Sequence, residues 1–153
     1  MYALVLAGGK GERLRPLTED RPKPMILLGG KPILEYHLTW LQQNGVTHAI
    51  LLCGYRADVI QDYFGDGRRW GLSIDYSVED KPLGRGGAFK LAFDRVPRRE
   101  ELVIGTNGDI ISNQPLGLIL RAHRSSKAVA TVMLVPLVSP FGIAQVARDG
   151  RIR

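Results

Sequence analysis

"YALVLAGGKGERLRPLTEDRPKPM", residues 2–25, sets an unbroken apolar run directly against a loop rich in glycine, proline and cationic side chains. Six apolar residues without alternation (2–7) read as a strand covered on both faces, the pattern of a parallel sheet. The loop beyond it cannot run far as helix, because Pro16, Pro22 and Pro24 lack amide donors and clash with a preceding turn. Gly8, Gly9 and Gly11 permit positive φ and let backbone N–H groups approach an anion closely, forming a nest for phosphate oxygens. Lys10, Arg13, Arg15, Arg21, Lys23 and Lys31 face only Glu12, Glu19 and Asp20 in this region, interleaved with Gly and Pro. A concave anion-binding loop accounts for that pattern; a solvated charged loop is the plain alternative.

Downstream, strands and helices alternate. "PILEYHLTWLQQNG" (32–45) places Ile33, Tyr36, Leu38, Trp40 and Leu41 near helical spacing, opens on a proline suited to a first turn, and stops at Asn44-Gly45. "HAILLCG" (48–54) is a second apolar strand, and "RADVIQDYFGDG" (56–67) a shorter helix ended by Gly65. "LSIDYSVE" (72–79) alternates like a strand, and "GRGGAFKLAFDRV" (84–96) turns from glycine loop to helix, with Pro97 ending it. "ELVIGTNGDII" (101–111) reads as a strand, "PLGLILRAHRSS" (115–126) as a helix, and "AVATVMLVPLV" (128–138) as a β-rich run. "FGIAQVARDGRIR" (141–153) reads as a hairpin about Asp149-Gly150, interrupted soon after its turn, which suggests a fragment. The expected fold class is α/β, a Rossmann-like, mostly parallel sheet flanked by helices and truncated at the C-terminus. Such sheets bind ligands beyond the carboxyl ends of their strands, where residues 8–25, 79–88 and 107–110 fall.

The 153 residues suit one domain, and a net charge of +6 admits nucleic acid, an anionic membrane or a small polyanion as partner. The basic residues lie in loops rather than along a groove-reading helix, which favours the small polyanion: no nucleic acid and no membrane are expected. One cysteine, Cys53, excludes an internal disulfide and a thiolate metal cluster. His37, His48 and His123 have no ligand spacing and read as structural or surface residues. The apolar start is too short for a secretory signal and no stretch approaches a bilayer span, so a cytoplasmic location is expected.

"LAGGKGERLRPLT" (6–18), "RPKPM" (21–25), "EDKPLGRGGA" (79–88) and "NGDI" (107–110), in this order and spacing, resemble the sugar-1-phosphate nucleotidyltransferases. The likeness runs from Tyr2 to the last residue and is greatest to mannose-1-phosphate and heptose-1-phosphate guanylyltransferases. It implies a fold of the nucleotide-diphospho-sugar transferase type, with residues 1–153 as the N-terminal nucleotide-binding part and the sugar-binding part absent. It implies an NTP and a sugar 1-phosphate as substrates, Mg²⁺ as cofactor, Arg13 and Lys23 as catalytic residues and Asp109 as metal ligand. The nucleotide-binding set becomes Leu6, Ala7, Gly8, Gly9, Gly11, Glu79, Gly84, Asn107 and Gly108. Arg13 would hold the departing pyrophosphate and Lys23 the α-phosphate. A guanidinium fork suits two oxygens of a leaving group and a compact ammonium the reacting phosphorus. From "NGD" alone Asp109 is as readily a turn aspartate.

Glu79 stands where uridine- and thymidine-binding members commonly carry Gln. A carboxylate only accepts, matching the two adjacent donors of guanine, so GTP is the expected nucleotide. A solvated strand end is the alternative for Glu79, and a uridylyl- or thymidylyltransferase, or a noncatalytic nucleotide-binding module, the alternative for the chain. Arg85 replaces the usual small Thr of the glycine motif, where it can stack on the base, pair with Asp80, or obstruct. Glu12 replaces a usual Thr or Ser. The resemblance implies that the family's second metal aspartate and main sugar-binding residues would fall beyond position 153, and the oligomeric state, a homo-oligomer included, stays open.

Overall fold

Residues Tyr2–Leu6 form β1, and Ala3, Leu4 and Val5 within it are each 3% exposed or less. Side chains that alternate in direction yet are all covered require packing on both faces, as the continuous apolar run demands. The computed structural model describes residues 1–136, 147, 148 and 151, which divide into two units, Met1–Pro115 and Leu116–Arg153. In the first unit β1 is followed by a small antiparallel hairpin of β2 (Leu27–Leu28) and β3 (Lys31–Pro32). Then come α1 (Ile33–Gln43), β4 (His48–Cys53), α2 (Ala57–Phe64), β5 (Ser73–Val78), α3 (Gly84–Phe93) and β6 (Val103–Asn107). The second unit contains α4 (Leu116–Ser126), where a helix is expected.

The sheet order is β5-β4-β1-β6, and every pairing in it is parallel. Leu6 stands opposite Leu52 on one side and Asn107 on the other, so the carboxyl ends of β1, β4 and β6 lie level. β4 and β5 are added outward on one side of β1, and the chain then returns to place β6 on the other. The reversal falls between β1 and β6, where open α/β sheets leave a crevice.

Leu4, Ile50 and Leu52 point to one face and pack with Ala88 and Ala92 of α3. Val5 points the other way, toward Leu34 of α1. On α1 the buried positions are Leu34, His37, Leu38 and Leu41, spaced i, i+3, i+4 and i+7. Each fully buried leucine contributes about 1.5–3 kcal/mol.

This corrects the face read from the sequence. Tyr36 and Trp40 lie at its margin, half-buried, because each has a polar atom to satisfy: Tyr36 Oη donates to the Leu28 carbonyl at 2.8 Å and Trp40 Nε1 to the Gln114 carbonyl at 3.0 Å. α3 stops at Phe93, short of Pro97, and unwinds through i to i+3 bonds at Arg95 and Val96. Over 128–136 no strand forms, since none of the described residues supplies a neighbouring ladder, and Val129, Val132, Leu134 and Val135 are exposed. Residues 137 and 138 of that run, and all of the expected 141–153 hairpin except 147, 148 and 151, lie outside the described residues.

Candidate functional site

The carboxyl ends of the four parallel strands surround a cavity of about 730 Å³. β1 and the loop after it contribute Leu6, Ala7, Gly8, Gly9, Lys10 and Gly11; β4 and the loop after it contribute Leu52, Gly54 and Tyr55. Glu79, Asp80, Pro82, Gly84, Arg85 and Ala88 come after β5, and Asn107 and Asp109 lie at the end of β6. Lys23 and Pro24 complete the wall from the loop between β1 and β2.

Close backbone contacts shape this space. A Cβ on Gly8 would lie 2.9 Å from the Gly54 amide nitrogen, so two glycines let the loops after β1 and β4 touch. Gly11 has φ of +63°, and a Cβ there would meet Lys23 Cβ and Thr18 Cγ2, each at 3.0 Å. The buried Thr18 hydroxyl donates to the Gly11 carbonyl at 2.9 Å, and Tyr55 Oη donates to the Glu19 carbonyl at 2.8 Å. These bonds brace the two ends of a loop that its prolines keep from becoming a helix.

Across the cavity, Lys23 Nζ lies 2.5 Å from Asp109 Oδ2, joining residues 86 apart in the chain. The pair is partly exposed, with 39% of the lysine and 27% of the aspartate side chain accessible, so it stays open to a ligand. Glu79 Oε2 accepts from the Leu83 N–H at 3.2 Å, fixing the carboxylate at the mouth of α3. Arg85, an exposed residue, also lines the cavity and, among the described residues, forms no ion pair with Asp80 or any other carboxylate.

Beneath the β6 end His37 is fully buried, with Nε2 3.1 Å from Thr106 Oγ1 and its ring stacked against Trp40. Burial holds its pKa down to about 4, with the Asp109 charge acting in the opposite direction.

Most of the residues expected from the sequence therefore meet at one place. Two do not line it. Arg13, in the turn Glu12–Leu14, is exposed and outside the cavity wall, as is Glu12. Gly108 is buried below, its N–H donating to the Leu6 carbonyl at 2.8 Å, where a Cβ would strike Leu34 at 2.9 Å. Gly54 and Tyr55 join the wall without having been expected there, although "LLCG" runs from apolar strand into glycine just as "LVLAG" does.

A family model described as nucleotidyl transferase matches residues 2–153. D-glycero-alpha-D-manno-heptose 1-phosphate guanylyltransferase of Aneurinibacillus thermoaerophilus is 40% identical over 154 residues, covering 99% of this chain and 65% of that protein. UTP--glucose-1-phosphate uridylyltransferase of Synechocystis is 34% identical over 165 residues, covering 99% and 42%. The crystal structure of HddC from Yersinia pseudotuberculosis complexed with GMP-PN superposes with a TM-score of 0.71 at 33% identity, over 80% of this chain and 53% of that one. The chain thus spans between 42% and 65% of the length of these proteins. With the family model matched from the second residue to the last, and relatives up to 40% identical over nearly the whole chain, the chain belongs to the nucleotidyl transferase family.

Proposed function

We propose that this chain is the nucleotide-binding part of an enzyme that transfers a nucleoside monophosphate from GTP to a sugar 1-phosphate, releasing pyrophosphate. The observation that carries the reading is Lys23 meeting Asp109 across a glycine-lined cavity at the sheet's switch point. A phosphate oxygen of the sugar attacks the α-phosphorus in line, forming the new P–O bond as the bond to the β-phosphate oxygen breaks. Such a transfer needs positioning and charge rather than a covalent nucleophile.

Amides of Gly8, Gly9 and Gly11 cradle the phosphates, Lys23 steadies the α-phosphate, and Arg13, exposed outside the cavity wall, is the candidate for the pyrophosphate. Leu6, Ala7, Gly84, Asn107 and, from below, Gly108 shape the nucleotide pocket.

No cluster of three or more His, Cys, Asp or Glu able to hold a metal unaided occurs among the described residues. A lone carboxylate at the β6 end still fits Mg²⁺, which commonly takes one or two carboxylates with waters and substrate phosphates. Asp109 would hold it there, and when bound the ion neutralises charge on the phosphate oxygens.

Glu79, fixed by the Leu83 N–H, and the guanylyltransferase among the relatives support GTP; the uridylyltransferase keeps UTP as the second reading. A single cysteine, 1% exposed, accords with a cytoplasmic enzyme. Among the described residues no helix is long and apolar enough to cross a membrane.

The test is calorimetric binding of Mg²⁺ with GTP, UTP or dTTP, and pyrophosphate release with a panel of sugar 1-phosphates. GTP binding at least about tenfold weaker in both Lys23→Ala and Asp109→Asn is expected, each losing a charge-assisted contact. Affinity unchanged in both variants would refute the site. GTP binding by this chain with no pyrophosphate release from any sugar 1-phosphate would favour a noncatalytic module.

A further inference from the structure

We infer that Arg85 reads the nucleobase, donating to the O6 and N7 acceptors of guanine while Glu79 accepts from its N1–H and exocyclic amine. The inference rests on the guanylyltransferase reading and deepens it. Three observations carry it.

Arg85 lines the same cavity as Glu79 and is the second residue of α3, which opens at Gly84 with φ of +69°. Its guanidinium has no ion-pair partner among the described residues, although Asp80 lines the same wall. The Glu79 carboxylate, by contrast, is held in place. Oε2 accepts from Leu83, and Oε1 sits 3.2 Å from where a Cβ on Gly54 would lie, so the acceptor is set against the end of β4.

A fixed acceptor and an uncommitted donor fork thus lie within seven residues on one side of the cavity. Guanine alone among the common bases offers two donors on one edge and two acceptors, O6 and N7, on the next. Arginine matches the O6 and N7 pair bidentately. Adenine turns an amine toward the fork, and pyrimidines have no N7. The residue that departs from the family's small one therefore adds a purine-selective contact that a Thr at position 85 is too short to form.

The experiment is competition binding to this chain with Mg²⁺, using GTP, 7-deaza-GTP, UTP and tripolyphosphate, on the parent and on Arg85→Leu and Arg85→Lys. The parent is expected to bind 7-deaza-GTP about tenfold more weakly than GTP, the loss of one arm of a bidentate contact. Arg85→Leu is expected to bind GTP about tenfold more weakly and to treat GTP and 7-deaza-GTP alike, while Arg85→Lys, whose ammonium can still donate to O6 and N7, falls between it and the parent. If the parent shows no preference for GTP over UTP, the guanylyltransferase reading fails and takes this inference with it.

If GTP is preferred but 7-deaza-GTP binds the parent equally well, Arg85 stacks on the base or stands clear of it, and only this inference fails. A uniform loss in Arg85→Leu across GTP, 7-deaza-GTP, UTP and tripolyphosphate would assign the guanidinium to phosphate and also overturn it. The parent's comparison of the two guanine nucleotides decides the matter even if a variant folds poorly.

Discussion

His37 is sealed beneath the site, one ring nitrogen at Thr106 and the other, Nδ1, without a partner among the described residues, so protonation would place an uncompensated charge in the interior. Burial lowers its pKa from 6.5 to about 4. Between those values the unfolded chain binds the proton and the folded chain does not, so stability must fall as pH falls. The slope approaches about 1.4 kcal/mol per pH unit, and the full difference is about 3 kcal/mol.

From about pH 7 to about pH 5 the expected loss is about 2 kcal/mol. Asp20 and Asp58 have lowered pKa values too, through hydrogen bonds from Arg21 and Arg56, and so has Glu35, where burial pushes upward but Tyr63 and Lys31 together outweigh it. Their contribution disappears at lower pH, below the ordinary carboxylate range, which leaves the upper window to histidine. The assay is urea unfolding of the parent and of His37→Leu at a series of pH values. The variant starts from a lower baseline, since the Thr106 hydroxyl loses its partner, but its stability should be flatter over this window. Parallel pH curves for the two proteins would refute the reasoning.

Gly8→Ala should destabilise by about 1–3 kcal/mol, because its Cβ would press on backbone atoms of Gly54 and Cys53 that cannot rotate away. Gly9→Ala, with nothing within 4 Å, should stay within about 1 kcal/mol. Thermal denaturation compares them, and equal shifts would show that the two loops do not touch. Cys53 is 1% exposed, with its thiol pushed up to about 12 by burial, so iodoacetamide near neutral pH should label it only as fast as the chain unfolds. Prompt labelling of the native chain would contradict the buried β4. Ile50→Ala, in the cluster with Leu4, Leu52, Ala88 and Ala92, should cost about 2–5 kcal/mol in chemical denaturation, and a loss below that range would mean α3 packs elsewhere.

Much of the site is legible in the sequence because glycine, proline and charge are local signals. Glycines after an apolar strand mark a place where the backbone must turn and approach something closely, and residues 8–11, 84 and 107–109 carry that mark. Gly54 carries it as well, with only one glycine to show it. The face of α1 is not legible, since Ile33, Tyr36, Trp40 and Leu34 are all apolar in composition. Only the position of the Leu28 and Gln114 carbonyls decides which rings go to the margin. The run 128–136 reads as strand by composition, yet a strand exists only when a neighbour accepts its hydrogen bonds.

Taken alone, the order of residues determined the alternation of strand and helix, the parallel sheet and the loops that carry the chemistry. These arise from periodicity and from backbone restrictions that act within a few residues. Which loops share a wall was settled by tertiary structure: Lys23 reaches Asp109 only because β6 returns to the far side of β1. The same is true of His37 and Thr106, 69 positions apart, and of the open guanidinium of Arg85 beside a tethered Glu79. Contacts between distant residues depend on strand order, and strand order depends on burying the whole sheet at once, which no short stretch of sequence can express.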